Sequence, residues 1–344
     1  MSRTYQGGLI TKTPVTPAGP YQCSAASGVW TIDQMVGWQK AGVWPTAGLY
    51  PTGTFAIFAL GKVGSFPSQT TSTTRNKYTF SGDINAAATA SSAVSYYGSA
   101  AGTAAIGIFA LGCGTSARNK YTYSSCTNGT GAVASATGYG GGAAVGTSTV
   151  GIFALGYSNL CSGPCQKIRN KYTYSSDTSA VTTASTANMY IGSAAGNSTI
   201  GIFALGGPST TREKYTYSGD VNASATAASA SSCRGSATGN STIGIFALGR
   251  CGTGGIAITT RDKFTYSACT SGSATAATAS AWAGSAAGNA TVGIFALGCN
   301  GLGCGLATRN KYTYSGCVVS SGTSASAGSL GGSAASNGTT GVNA

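Results

Sequence analysis

Side chains suited to acid–base or metal chemistry are scarce in this sequence. It has no histidine, and its carboxylates are Asp33, Asp83, Asp177, Glu213, Asp220 and Asp262. Histidine is the commonest general base and metal ligand, and glycosidases need two facing acids. Asp83, Asp177 and Asp220 occupy equivalent positions of an internal repeat, which is typical of turn residues. We therefore expect no enzymatic activity and no cofactor.

The basic residues belong mostly to one recurring unit. Net charge is +13, and twelve of the nineteen lysines and arginines lie in six copies of a phrase whose second half reads Arg-Asn-Lys-Tyr-Thr-Tyr-Ser. Its arginines are Arg75, Arg118, Arg169, Arg212, Arg261 and Arg309, followed three positions later by Tyr78, Tyr121, Tyr172, Tyr215, Phe264 and Tyr312. Charge spread evenly is not a nucleic-acid patch, so we expect these residues to support each repeat structurally.

The eleven cysteines form two patterns. The first consists of candidate loop disulfides, namely Cys161–Cys165, Cys299–Cys304 and Cys233–Cys251. Zinc would need four converging ligands, and the two close pairs lie in repeats three and six, so disulfides are the better interpretation. The second pattern is Cys113 with Cys126 and its equivalents in repeats five and six. These partners fall at opposite ends of the predicted hairpin, which is too far for a disulfide.

The repeat predicts an all-β fold. The second strand of the unit reads Gly-Ile-Phe-Ala-Leu and recurs every 43 to 51 residues, with Gly-Ser-Ala-Ala-Gly before it. Four short strands in such a period match one blade of a β-propeller. We predict six four-stranded blades at 46–97, 98–140, 141–191, 192–234, 235–283 and 284–331.

The C-terminal stretch 332–344 restates the first strand and is surplus to six units. We predict that it pairs near 48–58 and closes the ring. A seventh blade completed by the N-terminal arm is the alternative.

Residues 1–45 differ from the repeats. Prolines keep the start extended, and the sequence predicts one short helix between Trp30 and Gly42, with Thr31 as its N-cap. Trp30, Met35, Trp38 and Trp44 are the candidate anchors, either on the chain's own repeats or on another protein. No apolar run of transmembrane length and no signal peptide is expected.

Two resemblances follow from these phrases. Gly-Gly-Leu-Ile-Thr-Lys-Thr-Pro-Val at 7–15, Ser-Gly-Val-Trp-Thr-Ile-Asp-Gln at 27–34 and Lys-Ala-Gly-Val-Trp-Pro at 40–45 resemble an N-terminal segment of tailed-bacteriophage structural proteins. The repeat resembles Kelch propellers, although one glycine replaces their pair and Trp282 alone matches their fourth-strand tryptophan.

The phage resemblance implies a virion part, with residues 1–45 attaching to other virion proteins and a homo-oligomeric state. The leading hypothesis is a tail fibre or tail-tip protein whose propeller loops bind a host-surface glycan or receptor. A capsid or tail decoration subunit and a polysaccharide-degrading propeller enzyme are the alternatives. Second-to-third strand loops 62–74, 157–168, 250–260 and 299–308 are the longest and should share one face, where such binding would occur.

Overall fold

The structure, a computed structural model, describes Asp33 and residues 54–64, 68–112, 115–135, 140–157, 165–189, 191–207, 209–231, 233–249, 256–300 and 305–338. The chain divides into two compact units, Met1–Pro51 and Thr52–Ala344. Apart from Asp33, the predicted arm and helix of residues 1–45, including Trp30, Met35, Trp38 and Trp44, lie outside the described residues. Every element of the described second unit is a β-strand.

The first eighteen strands cover repeats one to four and the start of repeat five. They are β1 (Phe55–Ala59), β2 (Lys62–Val63), β3 (Thr70–Thr71), β4 (Arg75–Thr79), β5 (Ile84–Ala88), β6 (Ser99–Gly102), β7 (Ile106–Ala110), β8 (Arg118–Thr122), β9 (Thr127–Gly131), β10 (Ala143–Gly146), β11 (Val150–Ala154), β12 (Arg169–Thr173), β13 (Thr178–Thr182), β14 (Ser193–Gly196), β15 (Ile200–Ala204), β16 (Arg212–Thr216), β17 (Val221–Ala225) and β18 (Ser236–Gly239).

The remaining nine strands complete repeats five and six and close the ring. They are β19 (Ile243–Ala247), β20 (Arg261–Thr265), β21 (Thr270–Ala274), β22 (Ser285–Gly288), β23 (Val292–Cys299), β24 (Gly305–Thr313), β25 (Val318–Gly322), β26 (Ser329–Leu330) and β27 (Ser333–Ser336).

These strands form a propeller of antiparallel sheets. Five sheets are four-stranded blades, ordered β27-β1-β4-β5, β6-β7-β8-β9, β10-β11-β12-β13, β14-β15-β16-β17 and β18-β19-β20-β21. The prediction of six four-stranded blades is therefore corrected to five. The strands of repeat six belong to a seven-stranded sheet, β22-β23-β24-β26-β2-β3, with β25 beside β24.

The larger sheet arises because loop segments pair with one another. In repeat six β23 and β24 extend past a bulge, and Leu306 pairs with Ser329 of β26. Strand β26 also pairs with β2, where Lys62 faces Leu330. Two-residue strands in loops carry no periodic pattern, so the sequence could not predict them.

The innermost strands β6, β10, β14, β18, β22 and β27 contact one another in a closed cycle around the axis. Strand β27 pairs with β1, where Ala335 faces Ile57, so the C-terminal stretch joins the first blade as the sequence predicts. The outer strands β5, β9, β13, β17, β21 and β25 are half exposed, because they lie at the sheet edges.

Alternating side chains of each strand bury against opposite neighbours, as period-two pleating requires. In repeat four, Phe203 and Tyr215 pack with Val145 of repeat three. Ile202 of the same strand packs with Phe246 of repeat five. Both faces of a sheet are therefore core, and the propeller has no single hydrophobic centre.

Candidate functional site

The six repeat arginines lie buried between neighbouring repeats. The Arg75 guanidinium lies 4.5 Å from the ring centre of Phe109 in the next repeat, and its Nη2 donates to Asn119 Oδ1 at 3.1 Å. Arg309 completes the cycle, since it lies 4.6 Å from the Phe58 ring of repeat one. A desolvated cation–π contact contributes about 2 kcal/mol. These arginines join each repeat to the next.

Two of these junctions are buried ion pairs. Arg169 Nη2 lies 2.6 Å from Glu213 Oε2, and Arg212 Nη2 lies 2.8 Å from Asp262 Oδ2. The other four junctions have asparagine at this place, namely Asn76, Asn119, Asn170 and Asn310. Burial by itself would raise the pKa of Glu213, but hydrogen bonds from Thr186 and the charge of Arg169 outweigh it and lower that pKa.

At the asparagine junctions burial lowers the pKa of Arg75, Arg118, Arg261 and Arg309 to about 10. These side chains therefore stay cationic at neutral pH.

The aromatic residues that follow the arginines reach the turns after their own strands. Tyr215 Oη donates to Asp220 Oδ1 at 2.8 Å, and Lys171 of the preceding repeat lies 2.9 Å from the same carboxylate. Asp220 has φ 52°, a left-handed conformation that aspartate tolerates. The same three groups meet at two other turns, Tyr78–Asp83–Lys311 and Tyr172–Asp177–Lys120. These aspartates are turn residues bonded within the fold.

Cysteines occupy that turn position in the other three repeats. Cys126, Cys269 and Cys317 have φ of 53°, 50° and 50°. Each thiol donates to the carbonyl three residues before it, as Cys126 Sγ does to Tyr123 O at 3.6 Å. Cys317 therefore lies at the opposite end of its sheet from Cys299, the described loop cysteine of the same repeat, and the two do not form a disulfide.

The predicted disulfides are not supported. None of the six described cysteines is in a disulfide. The Cys165 thiol is free, so the Cys161–Cys165 bond is absent, and Cys165 pairs through its backbone with Tyr157 instead. Cys299 is buried at the end of β23, where its thiol donates to Asn300 O at 3.0 Å rather than bonding Cys304. Cys233 also carries a thiol, and Cys251 lies outside the described residues.

The two ends of the sheets differ in chemistry. We call the end that carries the second-to-third strand connections the loop face, and the end that carries Asp83, Asp177 and Asp220 the turn face. All five side-chain carboxylates of residues 52–344 are placed: three lie in the turns, and Glu213 and Asp262 are buried with their arginines. The loop face therefore carries no side-chain carboxylate.

Backbone hydrogen bonds close the axis at the loop face. Six residues that precede the innermost strands all have positive φ, namely Tyr97 (53°), Gly141 (69°), Ile191 (46°), Arg234 (59°), Ala283 (52°) and Gly331 (64°). Around the axis each is joined to the next by one N–H···O bond, at 2.7 to 3.3 Å, with the Gly192 amide serving in place of Ile191. We call these six residues the axial ring.

The ring holds strained backbone. A positive φ is a genuine outlier for a β-branched residue such as Ile191, and costs of order 1–3 kcal/mol. Such strain persists where the surroundings impose it and clusters at binding sites.

Aromatic and cationic side chains cover the ring. The rings of Tyr96 and Tyr97 are 4.0 Å apart, and Lys62 Nζ lies 4.2 Å from the Tyr96 ring centre. The Arg234 guanidinium lies 4.7 Å from the Trp282 ring and 6.0 Å from the Tyr97 ring. We call Lys62, Tyr96, Tyr97, Arg234 and Trp282 the axial platform.

The platform is partly open to solvent and firmly based. All of its members except the buried Tyr97 are half-buried. Tyr97 packs with Ile191, Ala283, Cys299 and Leu330 in one apolar cluster, and Tyr96 and Trp282 pack against that cluster. Burial raises the pKa of Tyr96 and of Tyr97, so both phenols are neutral at ordinary pH. The surface therefore offers flat rings and two cations.

Sequence reasoning selected the loop face but missed most of the platform. The resemblance to Kelch propellers predicts Trp282 in a fourth strand, whereas the structure places it in the connection after β21, where its backbone pairs with that of Cys299. Tyr97 and Arg234 are absent from the residues that the sequence predicts for the site. The available signal was a variable position directly before an almost invariant Gly-Ser-Ala phrase, occupied in turn by Tyr, Gly, Ile, Arg, Ala and Gly.

Neither a membrane span nor a metal cluster emerges from the described part of the chain. It contains no helix long and apolar enough to cross a membrane, and no group of three His, Cys, Asp or Glu side chains that could hold a metal ion.

Comparisons with known proteins address the fold only. No protein-family model matches the chain, and no curated protein matches it. Among solved structures, one described as "Structure of YjhT" is similar, with a TM-score of 0.62 and 10% identity over 80% of this chain and 100% of that one. At this identity the likeness shows a shared β-propeller fold and nothing about activity.

Proposed function

We propose that the protein is a non-enzymatic virion component, a tail fibre or tail-tip subunit, whose loop face binds a glycan or receptor on the host surface. The axial platform is the observation that carries this proposal. Half-exposed aromatic rings beside cations, held on a rigid ring, suit recognition of sugars by stacking and hydrogen bonding. Binding residues are commonly found on loops that a rigid scaffold positions.

Two further observations support a binding role over catalysis. Asp83, Asp177 and Asp220 are each bonded to a lysine and a tyrosine on the turn face, and Glu213 and Asp262 are bonded to buried arginines. No histidine is present in the sequence. General acid–base chemistry on the loop face would therefore lack its usual groups.

The virion assignment rests on residues 7–15, 27–34 and 40–45 and their resemblance to phage structural proteins. In this proposal residues 1–45 attach the chain to other virion proteins, and the protein is a homo-oligomer exposed outside the cell in the mature particle. The Kelch-like class of the propeller belongs to the same proposal and rests on the order of the strand phrases.

A cell-binding assay tests the proposal. The labelled full-length protein should bind intact host cells, and Trp282→Ala should reduce binding about tenfold or more, because a stacking ring is lost. Lys214→Ala, on a strand equivalent to that of Lys171, is the matched control and should bind normally. Equal cell binding by both variants, together with a weakened particle, would instead favour the decoration-subunit alternative.

A further inference from the structure

We infer that the axial platform binds an anionic saccharide chain, with its charged group at Arg234 and Lys62. This inference rests on the proposed function and specifies the ligand's chemical class.

Charge on the loop face has one sign. Lys62, Lys167 and Arg234 lie there. The five side-chain carboxylates of residues 52–344 form ion pairs on the turn face or inside the inter-repeat junctions. Nearby cations without nearby acids attract an anionic ligand, and low-dielectric walls focus that field.

The cations lie against rings rather than against carboxylates. Arg234 is placed 4.7 Å from the Trp282 ring, and Lys62 is 4.2 Å from the Tyr96 ring. A guanidinium that rests on an aromatic face keeps its N–H edge directed sideways, and its planar fork matches a carboxylate, sulfate or phosphate. Platform rings supply the surface on which a sugar ring would stack.

The axial ring forms the floor of this site. Its six hydrogen bonds, at 2.7 to 3.3 Å, close the axis beneath the platform. A ligand at the platform therefore lies across it and does not thread into the centre of the propeller. Internal units of a long chain can bind such an open surface as readily as chain ends.

Two matched pairs of probes test the ligand class on the full-length protein. Polygalacturonate is compared with its methyl ester, and dextran sulfate with dextran, by calorimetry at about 50 mM salt, where surface charges are weakly screened. We expect at least one charged chain to bind about tenfold or more tightly than its neutral partner, since hydrogen bonds to charged groups are strong. Which pair responds distinguishes a carboxylate from a sulfate-type ligand.

Variants assign that binding to the platform. Arg234→Ala and Lys62→Ala should each weaken the charged chain about tenfold and leave neutral chains unaffected. Lys214→Ala removes the same charge from the centre of β16, outside the platform, and should leave affinity unchanged. Thermal melts check that every variant is folded.

The inference is overturned if neither charged chain exceeds its neutral partner, or if Lys214→Ala weakens binding as much as Lys62→Ala, because then only overall charge matters. Either result leaves the proposed function standing if host-cell binding still depends on Trp282. Loss of that dependence would instead defeat the proposed function itself.

Discussion

Replacing Gly244 with alanine should destabilise the propeller chiefly through one phenolic oxygen. A Cβ at Gly244 would lie 2.7 Å from Tyr266 Oη, 3.1 Å from Phe246 Cε2 and 3.1 Å from Ala195 Cβ. Real Cβ atoms essentially never approach within 3.0 Å, so the tyrosine would have to move. Tyr266 is 3% exposed in a close-packed interface, which leaves it little room.

Repeat one has a larger residue at the glycine position and a smaller one at the tyrosine position. Ala56 stands where the other five repeats have glycine, and Phe80 stands where they have tyrosine. Ala56 is fully buried and packs in one cluster with Phe80 and with Ala287 of the preceding repeat. The methyl group of an alanine at the first position and the hydroxyl of a tyrosine at the second therefore never occur together in the six repeats.

The expected magnitudes follow from these contacts. Overpacking a core costs about 1–3 kcal/mol, so Gly244→Ala should lose about 2 kcal/mol. Tyr266 Oη has no hydrogen-bond partner among the described residues, so Tyr266→Phe should change the free energy of unfolding by less than about 1 kcal/mol. In the Tyr266→Phe background the alanine should cost less than about 1 kcal/mol, a coupling of at least about 1 kcal/mol.

Urea unfolding of the two single variants and the double variant measures this coupling. Gly272→Ala in the same repeat is the control, because nothing lies within 4 Å of its added Cβ. It should change the free energy of unfolding by no more than about 0.5 kcal/mol. Equal costs of Gly244→Ala in the two backgrounds would refute the steric argument.

Three further substitutions test other contacts. Val145→Thr should cost less than about 1 kcal/mol of stability, because the new hydroxyl can accept a hydrogen bond from Tyr217 Oη, which has no partner among the described residues. In a Tyr217→Phe background the same substitution should cost more, and thermal unfolding measures the difference. Glu213→Gln should destabilise the protein at neutral pH. Because the fold lowers the pKa of Glu213, the stability that its ionised form contributes is present above the unfolded pKa of about 4.3 and is lost as pH falls through the lower folded pKa. The urea midpoints of the two proteins should therefore converge in acid, and a constant difference would contradict the ion-pair account. Cys317→Asp should raise the free energy of unfolding by about 0.5–1 kcal/mol, because aspartate suits the left-handed turn and meets the hydroxyl of Tyr312. Cys269→Asp should gain less stability, because Phe264 stands at the equivalent place and has no hydroxyl. A larger gain from Cys269→Asp would contradict this reasoning.

The repeated phrase by itself determined much of this protein. Period-two alternation predicts that Phe203 and Ile202 bury against opposite neighbours, and the structure confirms it. The restated phrase at 332–344 predicts pairing with the first blade, which β27 makes. These features are readable because each depends on pattern within a strand or on identity between repeats.

Tertiary structure alone decided the rest. Arg234 of repeat four meets Tyr97 of repeat one and Trp282 of repeat five only because closing the ring brings different repeats together over the axis. The Lys62–Tyr96 contact joins two non-repeating residues within repeat one. The merging of repeat six with loop strands of repeat one likewise depends on closure. Alternation states which face a side chain occupies within its strand. It carries no information on which non-repeating residues the curvature of the ring brings together, and those residues form the proposed site.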